Sequence, residues 1–328
     1  MNIITPSRIH IALIDLNGSY GRVDGGIGLT LENPGFVLSM MPDDKGVSIE
    51  FADRQTPEAV QAEYTKKITR AAENILACCP SDEGYHFTVH QTYPTHSGLG
   101  SGTQIALATG KLMTEAAGRH LTSVELARIV GRGGTSGIGV HGFDLGGFIV
   151  DGGHSKKEKA SFMPSSASKA NPPVLLGRYE FPEDWNILLV LPKDGLCLNG
   201  SAELNIFQTC CPLPRNEVEQ MSHLIFMNLI PFMIEKDIEG FGWAIDRIQE
   251  TAFNKVEFQL QPPHITAARK RMQEAGAYGV GLSSLGPTLF TVYDDTNASI
   301  VAEIEEALGD SAAILTTKAQ NHGAVLMK

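Results

Sequence analysis

Two glycine-rich stretches carry the residue types and spacings from which chemistry is most readily built. The first, PTHSGLGSGTQIALATG, begins at Pro94. A strand stops there, glycines turn the chain, and Ser101 to Gln104 open a helix. The first N–H groups of a helix have no partner within it, and together with the helix dipole they attract an anion. Gly98, Gly100 and Gly102 let the backbone approach phosphate oxygens. The run Ser97, Gly98, Leu99, Gly100, Ser101, Gly102, Thr103 is therefore read as a cradle for phosphate or pyrophosphate. The second stretch, GRGGTSGIGVHGFDLGGFIVDGGH, spans Gly131 to His154 with ten glycines in 24 residues. A linker is glycine-rich because nothing holds it. This stretch also contains apolar runs, so its glycines read as punctuation of a strand, GGFIVDGG.

The elements that must position these stretches are legible from periodicity. RIHIALIDL (8–16) alternates as a strand, and GIGLTL, GFVLSMM and VSIEF read as three short strands separated by turn residues. Pro57 opens a helix with apolar residues at helical spacing. YHFTVHQTYP is a further strand, and TQIALATGKLMTEAAG a helix. Thr122 or Ser123 caps a short helix that ends near Gly131. Residues 155–174 are polar and aperiodic, with Lys156, Lys157, Lys159 and Lys169, and read as an interdomain loop or a lid over an anion. Beyond it come strand NILLVLP and helices near 202–209, 217–235, 239–254 and 265–275. Strands YGVGLSS and TLFTVYD, a helix and two closing strands complete the order of a split βαβ sandwich with inserted helices.

A chain of 328 residues is long for one core, so two domains are expected. The formal charge of -11 argues against nucleic acid as a partner. No apolar run approaches the ~20 residues that span a bilayer, and the N-terminus is not a secretory signal. The five cysteines include the neighbours Cys78-Cys79 and Cys210-Cys211, which read as reduced thiols of a cytoplasmic protein.

The glycine cradle resembles the PxxxGLGSS loop of the GHMP kinase superfamily. Three other features agree: the strand bearing Arg8 ahead of YGRVDGGIGLTL, the SGIGVHGFDLGG segment with the spacing of the kinases' SGxDxxxxxxGG, and GVGLSSLGPTLF from Gly279. The resemblance implies an α+β fold of two domains: a ribosomal protein S5-like N-terminal domain (1–175) and a ferredoxin-like C-terminal domain (176–328) with inserted helices. The departures are as informative as the matches. Where many of these kinases place the aspartate that activates the substrate hydroxyl, this chain has Gly139. Arg128 stands where an acid often helps to hold magnesium, and Gly102 replaces the second serine. Glycine can neither take a proton nor bind a metal.

RIHIALIDLNGSYGRVDGGIGLTLE and GRGGTSGIGVHGFDLGGFIVDGGH together resemble the β-ribofuranosylaminobenzene 5′-phosphate synthases, a branch of that superfamily in tetrahydromethanopterin biosynthesis. That resemblance implies decarboxylating transfer of phosphoribose from 5-phosphoribosyl 1-pyrophosphate to 4-hydroxybenzoate or 4-aminobenzoate. It also implies Mg²⁺, no organic cofactor and a homodimer. The anomeric carbon becomes oxocarbenium-like as pyrophosphate leaves, so cationic groups are needed. Loss of carbon dioxide restores the ring's aromaticity, so no base is needed at a ring carbon. On this view Arg8, Arg22 and Arg132 offer forks for phosphate or carboxylate. Arg22, Asp24, Arg132 and His154 are the catalytic candidates, with Asp24 and Asp151 as metal candidates. Asp15, His10, Ser136 and Gly137 are substrate-binding candidates, and Ser283, Ser284 and Gly286 close the site from the second domain. His90 and His96 flank the cradle. FMNLIPFMI from Phe226 reads as core, a dimer face or a benzoate pocket. Two other functions stay open at this level: an ATP-dependent small-molecule kinase, and a sugar-phosphate sensor without catalysis.

Overall fold

The computed structural model describes residues 1–165, 167–193 and 200–327, with the side chains of 200–202 excepted. The first sheet opens with β1 (Asn2–Asp15) and β2 (Arg22–Asp43), followed by β3 (Val47–Phe51). Then come α1 (Glu58–Cys78), β4 (Gly84–Gln91), α2 (Ser101–Ala116), α3 (Ser123–Val130), α4 (Ile138–Leu145), β5 (Phe148–Asp151), β6 (His154–Ser155) and β7 (Leu175–Tyr179). β1 and β2 form a long antiparallel pair, and β4 continues the sheet from the second half of β2. β5 adds to the first half of β2. Helices α1 to α4 pack on one another, and α2 and α4 also pack on β1 and β2.

The two strands expected over 26–41 are one. Asn33, Pro34 and Gly35 are accommodated as an irregularity where the register jumps between Thr5 and Ser7, because β1 pairs on both sides of it. A second register shift at Ile11 leaves its carbonyl free of the ladder, and Asn254 Nδ2 donates to it at 2.7 Å. Thr122 caps α3 with a full capping box, its hydroxyl and Glu125 bonding reciprocally. Gly131 ends that helix in the left-handed conformation.

The second sheet begins with β8 (Asn186–Pro192). Helices α5 (Gly200–Cys210), α6 (Arg215–Leu224), a π-helical turn at Ile225–Leu229, α7 (Ile230–Glu235), α8 (Ile238–Gln249), α9 (Ala252–Leu260) and α10 (Pro263–Glu274) follow. β9 (Gly281–Leu282), β10 (Leu289–Tyr293), α11 (Ile300–Leu308), β11 (Ala312–Thr317) and β12 (Val325–Met327) close the chain. The order β11-β8-β10-β9, all antiparallel, is that of a ferredoxin-like sheet. Its faces follow the two-residue period of a strand. Leu188 and Val190 pack with α10 and α11, while Ile187 and Leu189 join the larger core shared with the first domain.

Two expectations need correction. A partition at 175 cuts into β7, which pairs with β5, and β12 returns to pair with β1. The 239–254 segment is also not one helix. It breaks at Thr251–Ala252, where Ala252 has φ +50°, and α9 sets off anew. No described helix is long and apolar enough to cross a membrane. Cys78, Cys79, Cys210 and Cys211 are free thiols, and Cys197 lies outside the described residues.

Candidate active site

A cavity of about 280 Å³ opens between the two domains at the N-terminus of α2. Gly98 (φ +84°) and Gly100 (φ +79°) shape its floor. Both take a backbone conformation that glycine adopts without strain. A Cβ on Gly98 would collide with the Ser283 carbonyl oxygen, and one on Gly100 would press on the Arg8 side chain. The Arg8 guanidinium crosses this turn and donates to the Gly98 carbonyl. Arg132 follows the C-cap of α3 and donates through Nε and Nη2 to Thr103 Oγ1 at 3.2 and 3.1 Å. Lys67 of α1 completes the ring. A Cβ on Gly102 would sit 3.4 Å from Arg132 Nη2 and 3.6 Å from Lys67 Nζ. Three cations thus surround the first turn of α2, whose leading N–H groups lack helical partners. Burial draws the Arg8 pKa down to about 10, with Arg132 adding to the effect and Tyr93 and Glu203 opposing it. Arg8 stays cationic at neutral pH. Glu63 steadies two residues of the rim, at 2.6 Å from Lys67 and 2.9 Å from His96.

A second set runs inward from the cavity wall. His10 Nε2 meets Ser136 Oγ at 3.1 Å, and Ser136 Oγ lies 3.4 Å from Asp151 Oδ2. Asp151 also accepts the N–H groups of Gly137 (2.8 Å) and Gly153 (3.0 Å). Burial, reinforced by the Arg8 charge, pushes the His10 pKa down to about 3, so the ring is neutral. Burial pushes Asp151 up to about 7 against its two backbone bonds. Ser283 bridges the domains, donating to Gly98 O at 2.8 Å and accepting from His10 N at 3.0 Å. Ser284 and Gly286 line the cavity beside it.

Several expected site residues lie outside the cavity lining. Asp24, in a left-handed conformation at φ +66°, is buried in a knot with His154 and Lys159. Its Oδ2 takes His154 Nδ1 at 2.6 Å and Lys159 Nζ at 2.9 Å. His154 Nε2 meets the Asn171 carbonyl at 2.8 Å. Lys159 also donates to the carbonyls of Gly134 and Met163 and to Thr135 Oγ1, each at 2.9 Å. Asp24 and His154 are thereby committed to anchoring the 155–174 segment, and among the described residues Asp24 and Asp151 belong to no group of three His, Cys, Asp or Glu side chains that could hold a metal. Arg22 spends its fork on backbone, donating to Gly152 O and Gly153 O. Asp15 closes an Asx turn by accepting from Asn17 N and Gly18 N, both at 2.8 Å. His90, on Ser39 Oγ, is exposed and is not among the residues lining the cavity.

Gly139 lines the cavity, and Gln104 Nε2 bonds its carbonyl at 2.8 Å. α4, unforeseen because its glycines read as strand punctuation, is what brings Gly139 there. In the 155–174 segment, Lys156, Lys157 and Lys169 face solvent, whereas Pro164 and Ser165 edge the cavity. FMNLIPFMI does not line it: Leu229, Ile230 and Met233 are core, while Phe226 and Met227 are exposed.

Sequence reasoning missed Lys67, Glu203, Phe207, Phe253 and Glu257, all of which line the cavity. Lys67 and Glu63 stand one helical turn apart on α1, a spacing that by itself marks no site. The others sit on inserted helices whose motif-free sequences announce nothing.

The GHMP kinase N-terminal domain family matches residues 64–152, and the GHMP kinase C-terminal family residues 229–310. The chain is 48% identical, over 99% of its length and 98% of the relative's, to a beta-ribofuranosylphenol 5'-phosphate synthase of Methanothermobacter thermautotrophicus. It is 41% identical to the protein of that name from Archaeoglobus fulgidus, over 98% of each chain. Among solved structures, mevalonate kinase of L. major in complex with R-mevalonate superposes with a TM-score of 0.72 at 14% identity, covering 98% of this chain and 97% of that one. At that identity the likeness speaks for fold alone. The full-length relatives speak for more, and by them the chain belongs to the beta-ribofuranosylphenol 5'-phosphate synthase family, built on the GHMP kinase fold.

Proposed function

We propose that the chain transfers phosphoribose from 5-phosphoribosyl 1-pyrophosphate to 4-hydroxybenzoate, releasing carbon dioxide and pyrophosphate. The product is a β-ribofuranosylphenol 5′-phosphate, and the step belongs to tetrahydromethanopterin biosynthesis. The observation that carries this reading is full-length identity of 48% to a relative of that name. "Phenol" in the name favours the hydroxy acceptor over 4-aminobenzoate. The cavity supports the reading with a cationic end at α2 and an aromatic end at Phe207 and Phe253.

In the reaction, the first turn of α2 with Arg8, Arg132 and Lys67 holds a phosphate or pyrophosphate group. The same groups favour its departure by stabilising the negative charge that develops. Neutral His10 and Ser136 face the ribose, while Ser283 and Ser284 hold the second domain against the cradle. Fixing two anionic substrates in register supplies much of the acceleration. Mg²⁺, when bound, neutralises the leaving pyrophosphate. Among the described residues no three His, Cys, Asp or Glu side chains converge. Glu203 is the carboxylate whose charge reaches both Arg8 and Arg132. It and the pyrophosphate oxygens fit such an ion, since Mg²⁺ is commonly held by one or two carboxylates plus substrate phosphates. A kinase reading finds glycine at 139, where the acid would stand. We also infer a cytoplasmic protein, and a homodimer formed through the exposed apolar residues Phe226, Met227, Ile234 and Trp243.

The test is to supply Mg²⁺, 5-phosphoribosyl 1-pyrophosphate and carboxyl-labelled 4-hydroxybenzoate. Labelled carbon dioxide is expected in step with pyrophosphate. No release with either benzoate, or ADP formation from ATP and mevalonate or homoserine, would overturn the reading.

A further inference from the structure

The aromatic part of the cavity lining has a chemistry of its own. Phe253 and Glu257 project there from α9, Phe207 from α5 and Leu13 from β1. The two phenylalanine rings lie 4.9 Å apart, tilted by 44°, and are 3% (Phe207) and 1% (Phe253) exposed. Glu257 is 5% exposed, and among the described residues no hydrogen bond or ion pair engages its carboxyl. An apolar side chain would complete this wall without desolvating a carboxyl, so the position is better explained by a ligand than by folding. α9 is also held rigidly: Asn254, between Phe253 and Glu257 in sequence, donates to the carbonyl of the Ile11 bulge. The two ends of the cavity sort the acceptor's two ends. Its ring finds aromatic partners in Phe207 and Phe253, while its carboxylate is drawn toward the cations around α2.

Resting on the reaction proposed above, we infer that this end binds the acceptor's ring with the phenol oxygen against Glu257. Glu257 is the catalytic residue that takes the phenol proton as the new carbon–carbon bond forms. Burial, with Glu203 adding to it, pushes the Glu257 pKa up to about 8. That makes it a stronger base than an ordinary carboxylate and suits exchange with a phenol. The step balances. The ring carbon bearing the carboxylate bonds to the anomeric carbon, and pyrophosphate leaves with the electron pair of its C–O bond. The phenol O–H proton passes to Glu257, leaving a neutral dienone. The bond to the carboxylate then breaks, its electron pair restores the aromatic ring, and carbon dioxide departs. Glu257 returns the proton to the oxygen.

The experiment compares the unsubstituted protein with Glu257→Gln on 4-hydroxybenzoate and on 3-fluoro-4-hydroxybenzoate, whose phenol ionises more readily. Glu257→Gln is expected to lower kcat about 100-fold or more with 4-hydroxybenzoate. Binding of 5-phosphoribosyl 1-pyrophosphate, read by calorimetry, should change less than about threefold. With the fluorinated acceptor the deficit should shrink to about tenfold, because a phenol that ionises more readily depends less on a base. Equal deficits with both acceptors, or turnover restored by raising Mg²⁺, would overturn the inference and leave the reaction standing. No carbon dioxide from the unsubstituted protein would overturn both. As a second variant, Phe253→Leu is expected to raise the acceptor KM about tenfold without altering donor binding. An unchanged acceptor KM would remove the ring from this end.

Discussion

Arg132 and Arg22 are both arginines beside glycines, yet the fold gives them different work. Arg22 meets two backbone carbonyls, which only accept, so its fork is spent on holding the Gly152–Gly153 turn. Arg132 meets a single hydroxyl, Thr103 Oγ1, at the cavity wall, so its remaining N–H groups face the space where an anion would sit. A charge-assisted hydrogen bond of this kind contributes about 1.5–3 kcal/mol. Arg132→Ala is therefore expected to raise the KM for 5-phosphoribosyl 1-pyrophosphate between about tenfold and 100-fold. Its melting temperature should move little, because relieving the crowding of Arg8 and Lys67 offsets the lost bond. Donor titration and thermal unfolding on one preparation decide this. An unchanged donor KM would remove Arg132 from the anion site. Gly139 shows how far a single position can be read. Its lack of a carboxylate is visible in the sequence and speaks against a kinase. What stands in for that acid is not visible there, because Glu257 lies 118 positions further on in a segment with no motif.

The 155–174 segment shows the same limit at the scale of an element. Its lysine content and lack of periodicity read as a loop, and it has little regular structure. Its anchoring by one buried lysine depends on pairing Lys159 with Asp24, 135 positions away, which composition cannot register. α4 was missed for a related reason: glycines at 137, 139 and 142 weaken helix propensity, and burial against Thr30 and Thr103 overrides it. The strands and helices that were legible, such as β1, α1 and α3, carry strong periodicity or caps of their own. The knot makes the segment sensitive to pH. Burial alone would lower the His154 pKa, but its bonds to Asp24 and the Asn171 carbonyl overcome that and raise it. Both partners accept, so both ring nitrogens must carry protons. Since the folded pKa lies above the ordinary value of about 6.5, this stabilisation is fully present below that value. It is lost as pH rises through the folded pKa. Tryptic cleavage at Lys156, Lys157 or Lys169, normalised to a free peptide, is therefore expected to accelerate as pH climbs across that window. In His154→Gln the normalised rate should be higher at the acid end and flat. A flat profile in the unsubstituted protein would show that the knot does not govern the segment.

At the scale of the whole molecule, the cavity exists because two glycine turns from different domains are in contact. Ser283 bonds Gly98 O and His10 N, Ser284 N bonds His10 O, and the missing Cβ of Gly98 is what lets the Ser283 carbonyl approach. The chain also crosses between domains more than once: β7 and β12 belong to the first sheet although they flank the second in sequence. Neither domain is thus a detachable unit, and a fault in one turn should register in the other. Gly98→Ala tests this. Alanine at φ +84° is strained by about 1–3 kcal/mol. Its methyl group must also displace backbone, since the obstructing atom is a carbonyl oxygen and no side chain can swing away. Amide exchange is expected to rise in both 95–101 and 282–287, segments far apart in sequence that meet at this contact, with a loss of about 2 kcal/mol or more in denaturant unfolding. Donor KM should rise in the same variant, because the turn that Arg8 crosses no longer keeps its shape. Faster exchange confined to 95–101 would show the turns to be independent, and the cavity would then belong to the first domain alone.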